Sequence, residues 1–151
     1  MTKAIVFGLA LLALAFQVRT YVDEAEAESK LGSHPRIARC ADRHPPDRVG
    51  ERAPLIWCVA AAFDSPGSPR YAIAVGRCES GSDLQDVYSG DGHVGTFQHV
   101  TSSWLGRWRT WGARIGVPSS PTNVLSQAVV SVRMARSLGT WSSSAGWAGC
   151  A

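Results

Sequence analysis

Apolar positions along the chain change their spacing several times, and each change marks an element. Ala4 to Phe16 form an unbroken apolar run behind Lys3. Further along, Leu55, Ile56, Val59, Ala60 and Phe63 follow Pro54 at spacings that predict a short helix, with the proline in its first turn. Asp64-Ser65-Pro66-Gly67-Ser68-Pro69 interrupts it with turn chemistry. A second helix is expected over 69–80, with Tyr71, Ile73, Ala74, Val75 and Cys78 as its apolar positions and Gly81 as its stop. Residues 82–95 are polar and glycine-rich, and Ser89-Gly90-Asp91-Gly92 reads as a tight turn. Thr101 is the expected N-cap of a third helix running through Trp111. Val117-Pro118-Ser119-Ser120-Pro121 breaks the chain again. Thr122 is then expected to cap a last helix, with Leu125, Ala128, Val129 and Val132 spaced for burial and an end near Leu138-Gly139.

The resulting expectation is a mainly α domain with a polar loop or short hairpin between its helices. Each helix is too short to be stable alone, so mutual packing must hold them. The chain divides into 1–18, 19–53 and 54–151. The first segment has the layout of a secretory signal, with Ala13-Leu14-Ala15 as a small-x-small cleavage pattern. Its apolar run is shorter than the roughly 20 residues a spanning helix prefers, which favours a cleaved signal over a retained membrane anchor. Either way the chain is expected to be exported, secreted or held at the cell wall. Asp23 to Ser29 is an acidic, alanine-rich linker. Leu31 to Ala53, rich in Pro, Arg and His, is expected to be an irregular lead-in to the compact domain.

Composition narrows this picture. At 151 residues there is room for one core plus modest extensions. A net charge of +3 suits approach to an anionic polymer, yet no Lys/Arg-rich run argues for nucleic acid. Four cysteines, Cys40, Cys58, Cys78 and Cys150, all lie beyond the leader. An even count in an exported chain implies two disulfides, with three pairings open. No C-x-x-C or H-x-x-x-H spacing is present, so zinc is not expected, nor is any other metal or cofactor.

The residue that carries most chemistry is Glu79, in Cys78-Glu79-Ser80-Gly81 at the C-terminal end of the second helix. The helix dipole places partial negative charge there, and burial would act in the same direction, so both raise the carboxyl pKa. An acid still protonated near neutral pH suits donation of a proton to a leaving oxygen, the step that cleavage of a glycosidic bond requires. Position alone also fits an ordinary surface glutamate at a frayed helix end. The order of motifs decides between the two readings. Cys78-Glu79-Ser80-Gly81, the Ser89-Gly90-Asp91-Gly92 turn, Gly95-Thr96-Phe97-Gln98, Trp104, and Trp147 before Cys150 together resemble the lysozyme-like superfamily. Closest are its lytic transglycosylases and the resuscitation-promoting-factor-like domains of actinobacteria. The resemblance spans roughly 55–150. It departs from the family pattern at Thr96, where a second glycine is common, at Phe97, often Leu or Met, and at His99, usually apolar.

That resemblance implies a small, disulfide-stapled lysozyme-like (α+β) domain in which Cys78 pairs with Cys150, leaving Cys40 with Cys58. It further implies that Glu79 is the general acid for cleavage of the β-1,4 bond between N-acetylmuramic acid and N-acetylglucosamine. A lytic transglycosylase works with one glutamate and yields a 1,6-anhydro product, whereas a hydrolase wants a second carboxylate. Asp83, Asp86 and Asp91 are the candidates for the latter, each equally readable as a turn residue. Gln98 offers an amide to a sugar, or a structural bridge from loop to helix. Tyr88 and His93 are candidate cleft residues on the loop. Trp104, Trp108 and Trp111 share one helix face, a pattern commoner in cores than in ligand platforms. Trp104 and Trp147 are nonetheless kept as candidate sugar contacts. The expected partner is a peptidoglycan glycan strand, met by a monomer that touches membrane only through an uncleaved N-terminal segment. Two other classes stay open: a lysozyme-like module that binds glycan or a protein without cleaving it, and a small secreted interaction protein.

Overall fold

The computed structural model describes residues 30–85, 87–142, 146, 147, 149 and 150. The expected leader (1–18), the acidic linker and Asp86 lie outside the described residues. Among those described, the protein is mainly helical, with one two-stranded sheet and two disulfides. Helix α1 spans Pro35–Arg43 and a short 3-10 turn spans Val49–Glu51. Helices α2 (Arg52–Ala62) and α3 (Pro69–Ser80) follow, then the antiparallel hairpin β1 (His93–Val94) and β2 (His99–Val100). Helices α4 (Thr101–Trp111) and α5 (Val124–Leu138) complete the order.

Helix α1 corrects the expectation of an irregular lead-in. Pro35 occupies the first turn, where its missing N–H costs nothing, and Ile37 and Cys40 lie one turn apart on a buried stripe. That stripe is narrow, and arginines dominate the rest of the helix. Packing on α2 and the Cys40–Cys58 disulfide supply what local propensity does not.

The core is built around α2 and α5. Leu55, Ile56, Val59 and Ala60 of α2 are fully buried, and α2 packs against α1, α3 and α5. Every residue of α5 from Val124 to Val132 is buried, so this helix is enclosed on all sides rather than on one face. Its N-cap is Asn123, whose side chain accepts from Ser126 N–H at 3.0 Å; the expected cap, Thr122, sits one residue too early. Gly139, at φ +71°, closes the helix in the left-handed conformation that glycine adopts without strain. Thr101 begins α4 without capping it, its hydroxyl donating instead to the Gly92 carbonyl at 2.7 Å.

After α5 the chain turns back over the core. Trp141 and Trp147 are each 2% exposed and pack 4.9 Å apart, with Phe97 at 5.7 and 6.2 Å from them respectively. Trp141 Nε1 donates to Ser65 Oγ, tying this segment to the α2–α3 turn. Cys150 bonds Cys78 near the end of α3, so the C-terminal segment is fastened across the helix that carries Glu79. No helix among the described residues is long and apolar enough to cross a membrane.

The two disulfides close loops of very different length, 18 and 72 residues of sequence separation. Loop-closure entropy then predicts that a Cys78→Ser/Cys150→Ser protein loses about 4 kcal/mol, against about 3 kcal/mol for Cys40→Ser/Cys58→Ser. Urea unfolding of the two variants measures the difference. An equal or reversed order would show that native-state contacts, not chain entropy, set the contribution of each bridge.

Candidate active site around Glu79

Glu79 is the penultimate residue of α3, half-buried where the helix stops. Two bonds shape that stop. Gly81 N–H donates to the Arg77 carbonyl at 2.8 Å, and Ser80 Oγ donates back to the Gly76 carbonyl at 2.9 Å. Gly81 then leaves at φ +90°, a conformation any side chain would strain. Loss of solvent pushes the Glu79 carboxyl pKa above its ordinary value, and the attraction of His93 opposes the shift without cancelling it. His93 therefore lies within electrostatic reach of the carboxyl.

His93 opens the hairpin, paired with Val100, and the Ser89–His93 turn holds it. Ser89 N–H donates to the His93 carbonyl at 2.9 Å, and His93 N–H donates to Ser89 Oγ at 3.2 Å. The same hydroxyl donates to the Asp91 carboxylate, and His93 Nδ1 lies 3.0 Å from Asp91 Oδ1. Ser89 first, then His93, hold Asp91 down at about 2. His93 favours the anion at both carboxyl groups, yet burial drives Glu79 toward the neutral acid while Ser89 and His93 hold Asp91 as the anion. Tyr88 bridges to Val94 and its ring is exposed beside this turn. Asp83 is exposed in the turn after α3, where its Oδ1 accepts from Ser82 Oγ.

The other candidates stand elsewhere. Gln98, at φ +45°, donates from Nε2 to the Gly95 carbonyl at 2.8 Å and so closes its own turn. The bridge from loop to helix belongs to Gln127, which the sequence reading did not single out. Its Oε1 accepts from Phe97 N–H at 3.1 Å, and its Nε2 donates to the carbonyls of Val94 at 3.2 Å and Pro121 at 2.7 Å. The available signal was periodicity: Gln127 and Ser131 share the helical stripe of Val124, Ala128 and Ala135, so burial of that stripe obliges both to find partners. Ser131 finds His99.

Trp104 and Trp147 are corrected from sugar platforms to interior residues. They are 4% and 2% exposed, and their indole N–H groups are already used: Trp104 donates to the Ser119 carbonyl at 2.6 Å and Trp147 to the Phe97 carbonyl at 3.0 Å. Their rings flank His99 at 5.3 and 5.9 Å. His99 itself is 1% exposed. Arg107 donates to its Nδ1 at 2.5 Å, which leaves the proton on Nε2 to donate to Ser131 Oγ at 2.8 Å. Burial, reinforced by the Arg107 charge, lowers its pKa to about 3. His99 is thus a neutral imidazole whose two nitrogens are both satisfied. Trp57 and Tyr71, by contrast, are aromatic rings left partly open to solvent, with Arg70 lying over Trp57. Among the described residues no three His, Cys, Asp or Glu side chains converge as metal ligands would.

Two stability predictions follow from these contacts. A Cβ at Gly95 would lie 2.2 Å from Gln127 Nε2 and 2.6 Å from the Pro121 carbonyl, and φ there is +81°. Gly95→Ala and Gln127→Leu are therefore each expected to cost about 3 kcal/mol in chemical unfolding, one through a clash and the other through three orphaned backbone groups. His99 and Glu79 have opposite pH signatures. The folded His99 pKa lies below its unfolded value, so its contribution is present above about 6.5 and is lost progressively as pH falls toward 3. The folded Glu79 pKa lies above its unfolded value, so its charge weakens the fold as pH rises. Glu79→Gln is expected to raise the thermal midpoint at pH 7 and leave it unchanged below pH 4. A pH series of thermal unfolding on both proteins checks each sign.

Compared with family models, with curated proteins and with solved structures, the chain finds no match, so its functional reading rests on the chemistry of this site.

Proposed function

We propose that the protein is an exported, lysozyme-like enzyme that cleaves the β-1,4 bond between N-acetylmuramic acid and N-acetylglucosamine in peptidoglycan, with Glu79 as general acid. The observation that carries this reading is the half-buried Glu79 carboxyl, raised in pKa at the end of α3 beside a polar hairpin. In that environment the carboxylic acid keeps its proton further toward neutral pH than an exposed glutamate. It protonates the glycosidic oxygen as the bond to C1 breaks, and the resulting carboxylate then serves as base. In the lytic transglycosylase route the substrate's acetamido group stabilises C1. The muramyl 6-hydroxyl gives its proton to Glu79 and closes onto C1 as a 1,6-anhydro ring. No second carboxylate is needed.

Asp91 favours a second reading of the same bond cleavage. It is an ionised carboxylate on the hairpin turn that, like Glu79, has His93 as an electrostatic neighbour, and the pKa values of the two carboxyl groups are pushed apart as acid and base roles require. A hydrolase would use it to stabilise charge at C1 or to activate water. Exposed Tyr88 and half-buried His93 line the same hairpin and would contact the glycan in either route. Gln98 keeps its Oε1 free of hydrogen bonds among the described residues, an acceptor for a sugar hydroxyl or N-acetyl N–H.

Digestion of purified peptidoglycan, with products read by mass spectrometry, separates these routes. Anhydromuropeptides from the parent and at least a 100-fold loss in Glu79→Gln are expected, on the order of the usual contribution of a general acid. Reducing-end products, lost again in Asp91→Asn, would assign the hydrolase. Release of nothing from walls of several species would remove the enzyme reading and leave a glycan- or protein-binding module.

A further inference from the structure

A hollow of about 310 Å³ opens at the corner where α2, α4 and α5 end, lined by Phe63, Trp111, Arg133, Arg136 and Ser137. It lies at the far end of α3 from Glu79. Phe63 precedes the turn that begins that helix, and ten residues of helix then cover roughly 15 Å. Two guanidinium groups line it, and a third, that of Arg114, lies within electrostatic reach. Arg133 stacks over the Phe63 ring, 5.6 Å from its centroid, and donates from Nη1 to the Trp111 carbonyl. Arg114 and Arg136 stand close enough that, after burial, their charges pull the Arg133 pKa below its ordinary value.

Helix ends explain part of this concentration of charge, since their carbonyls attract cations. That role is visibly filled by Arg133. Among the described residues the Arg114 guanidinium makes no hydrogen bond; the residue's contact with His34 runs through its backbone carbonyl. Arg136 faces one carboxylate, Asp64, at a loose 4.0 Å, with both side chains more than half exposed. Two lining guanidinium groups, with Arg114 in electrostatic reach, stand against the loosely held Asp64 carboxylate, so positive charge is in surplus at the hollow.

We propose that this hollow binds a phosphate group. A phosphate matches the surplus in charge, and guanidinium groups pair with its oxygens through parallel hydrogen bonds. The Ser137 hydroxyl supplies a further donor at the rim. The hollow is larger than one phosphate, so it has room beside Trp111 for a group that carries the phosphate. Two sources present this chemistry: free phosphate, and a polyol-phosphate polymer of the kind that bears many phosphodiesters. The site does not depend on glycan cleavage, and its test reads binding alone.

Inorganic phosphate titrated into the ¹⁵N-labelled protein at constant ionic strength is the direct probe. It is expected to shift the Trp111 indole and Ser137 amide resonances saturably, where chloride and acetate do not. Arg136→Gln, at an exposed side chain, should weaken binding roughly tenfold, the loss of one charge-assisted hydrogen bond. Asp64→Asn should strengthen it by removing the competing carboxylate; Asp64 sits at φ +51°, which asparagine tolerates, so the turn survives. A glycerol-phosphate oligomer binding far more tightly than inorganic phosphate would assign the polymer as source, and equal affinity would assign free phosphate. Equal shifts from acetate, no saturation, or indifference to both substitutions would overturn the proposal.

Discussion

A buried primary amide has donors and acceptors that low-dielectric surroundings make costly to leave empty, and Gln127 satisfies this demand by holding three backbone groups at once. Much of the site's geometry depends on that side chain. Because its head reaches Val94, Phe97 and Pro121 together, strand β1, the turn that joins it to β2 and the loop before α5 cannot move independently. Gly95 must lack a Cβ for the head to fit. The Gly95–Gln98 turn is held again from its other side, where Trp147 donates to the Phe97 carbonyl. The Cys78–Cys150 bridge ties the segment carrying Trp147 back to α3. Glu79 and His93 are therefore held within electrostatic reach of each other by a frame fixed by one amide, one indole and one disulfide.

Electrostatics within that frame follow from depth. Glu79 is partly withdrawn from water at a helix end and is shifted toward its neutral form, whereas Asp91, on the exposed tip of the turn, is held ionised by a hydroxyl and a histidine. His99, a short distance along the hairpin, shows the opposite extreme. Enclosed by Trp104 and Trp147 and satisfied by Arg107 and Ser131, it stays neutral and behaves as a packing residue. Two histidines six residues apart thus differ completely in availability, because alternate strand positions face opposite sides of the hairpin and only one of those sides meets the core.

The arrangement also separates two kinds of surface. Carboxyl chemistry gathers at the C-terminal end of α3, while arginines gather at the opposite end, where α2, α4 and α5 finish. Helix α3 acts as the spacer. Its close approach to the hairpin is set at Gly76, where an added Cβ would meet Leu84 at 3.0 Å and Thr96 at 3.4 Å.

Local patterning determined α3 and α4 nearly to the residue, because their turns are bounded by strong stop signals: Pro69 and Gly81 for one, Trp111-Gly112 for the other. The position of Glu79 at a helix end was likewise legible, whereas its raised pKa comes from burial, which only the packing of the folded chain decides. Helix α1 was not legible, because its stability comes from α2 and from a disulfide partner eighteen residues away. Nor could spacing rank the tryptophans. An indole on a helix face reads the same whether a neighbouring helix or solvent covers it, and only the folded chain put Trp104 and Trp147 inside while leaving Trp57 partly open. Gln127 marks the boundary most clearly. Its burial was implicit in the period of α5, but its three partners lie six to thirty-three residues away, and no local rule selects them.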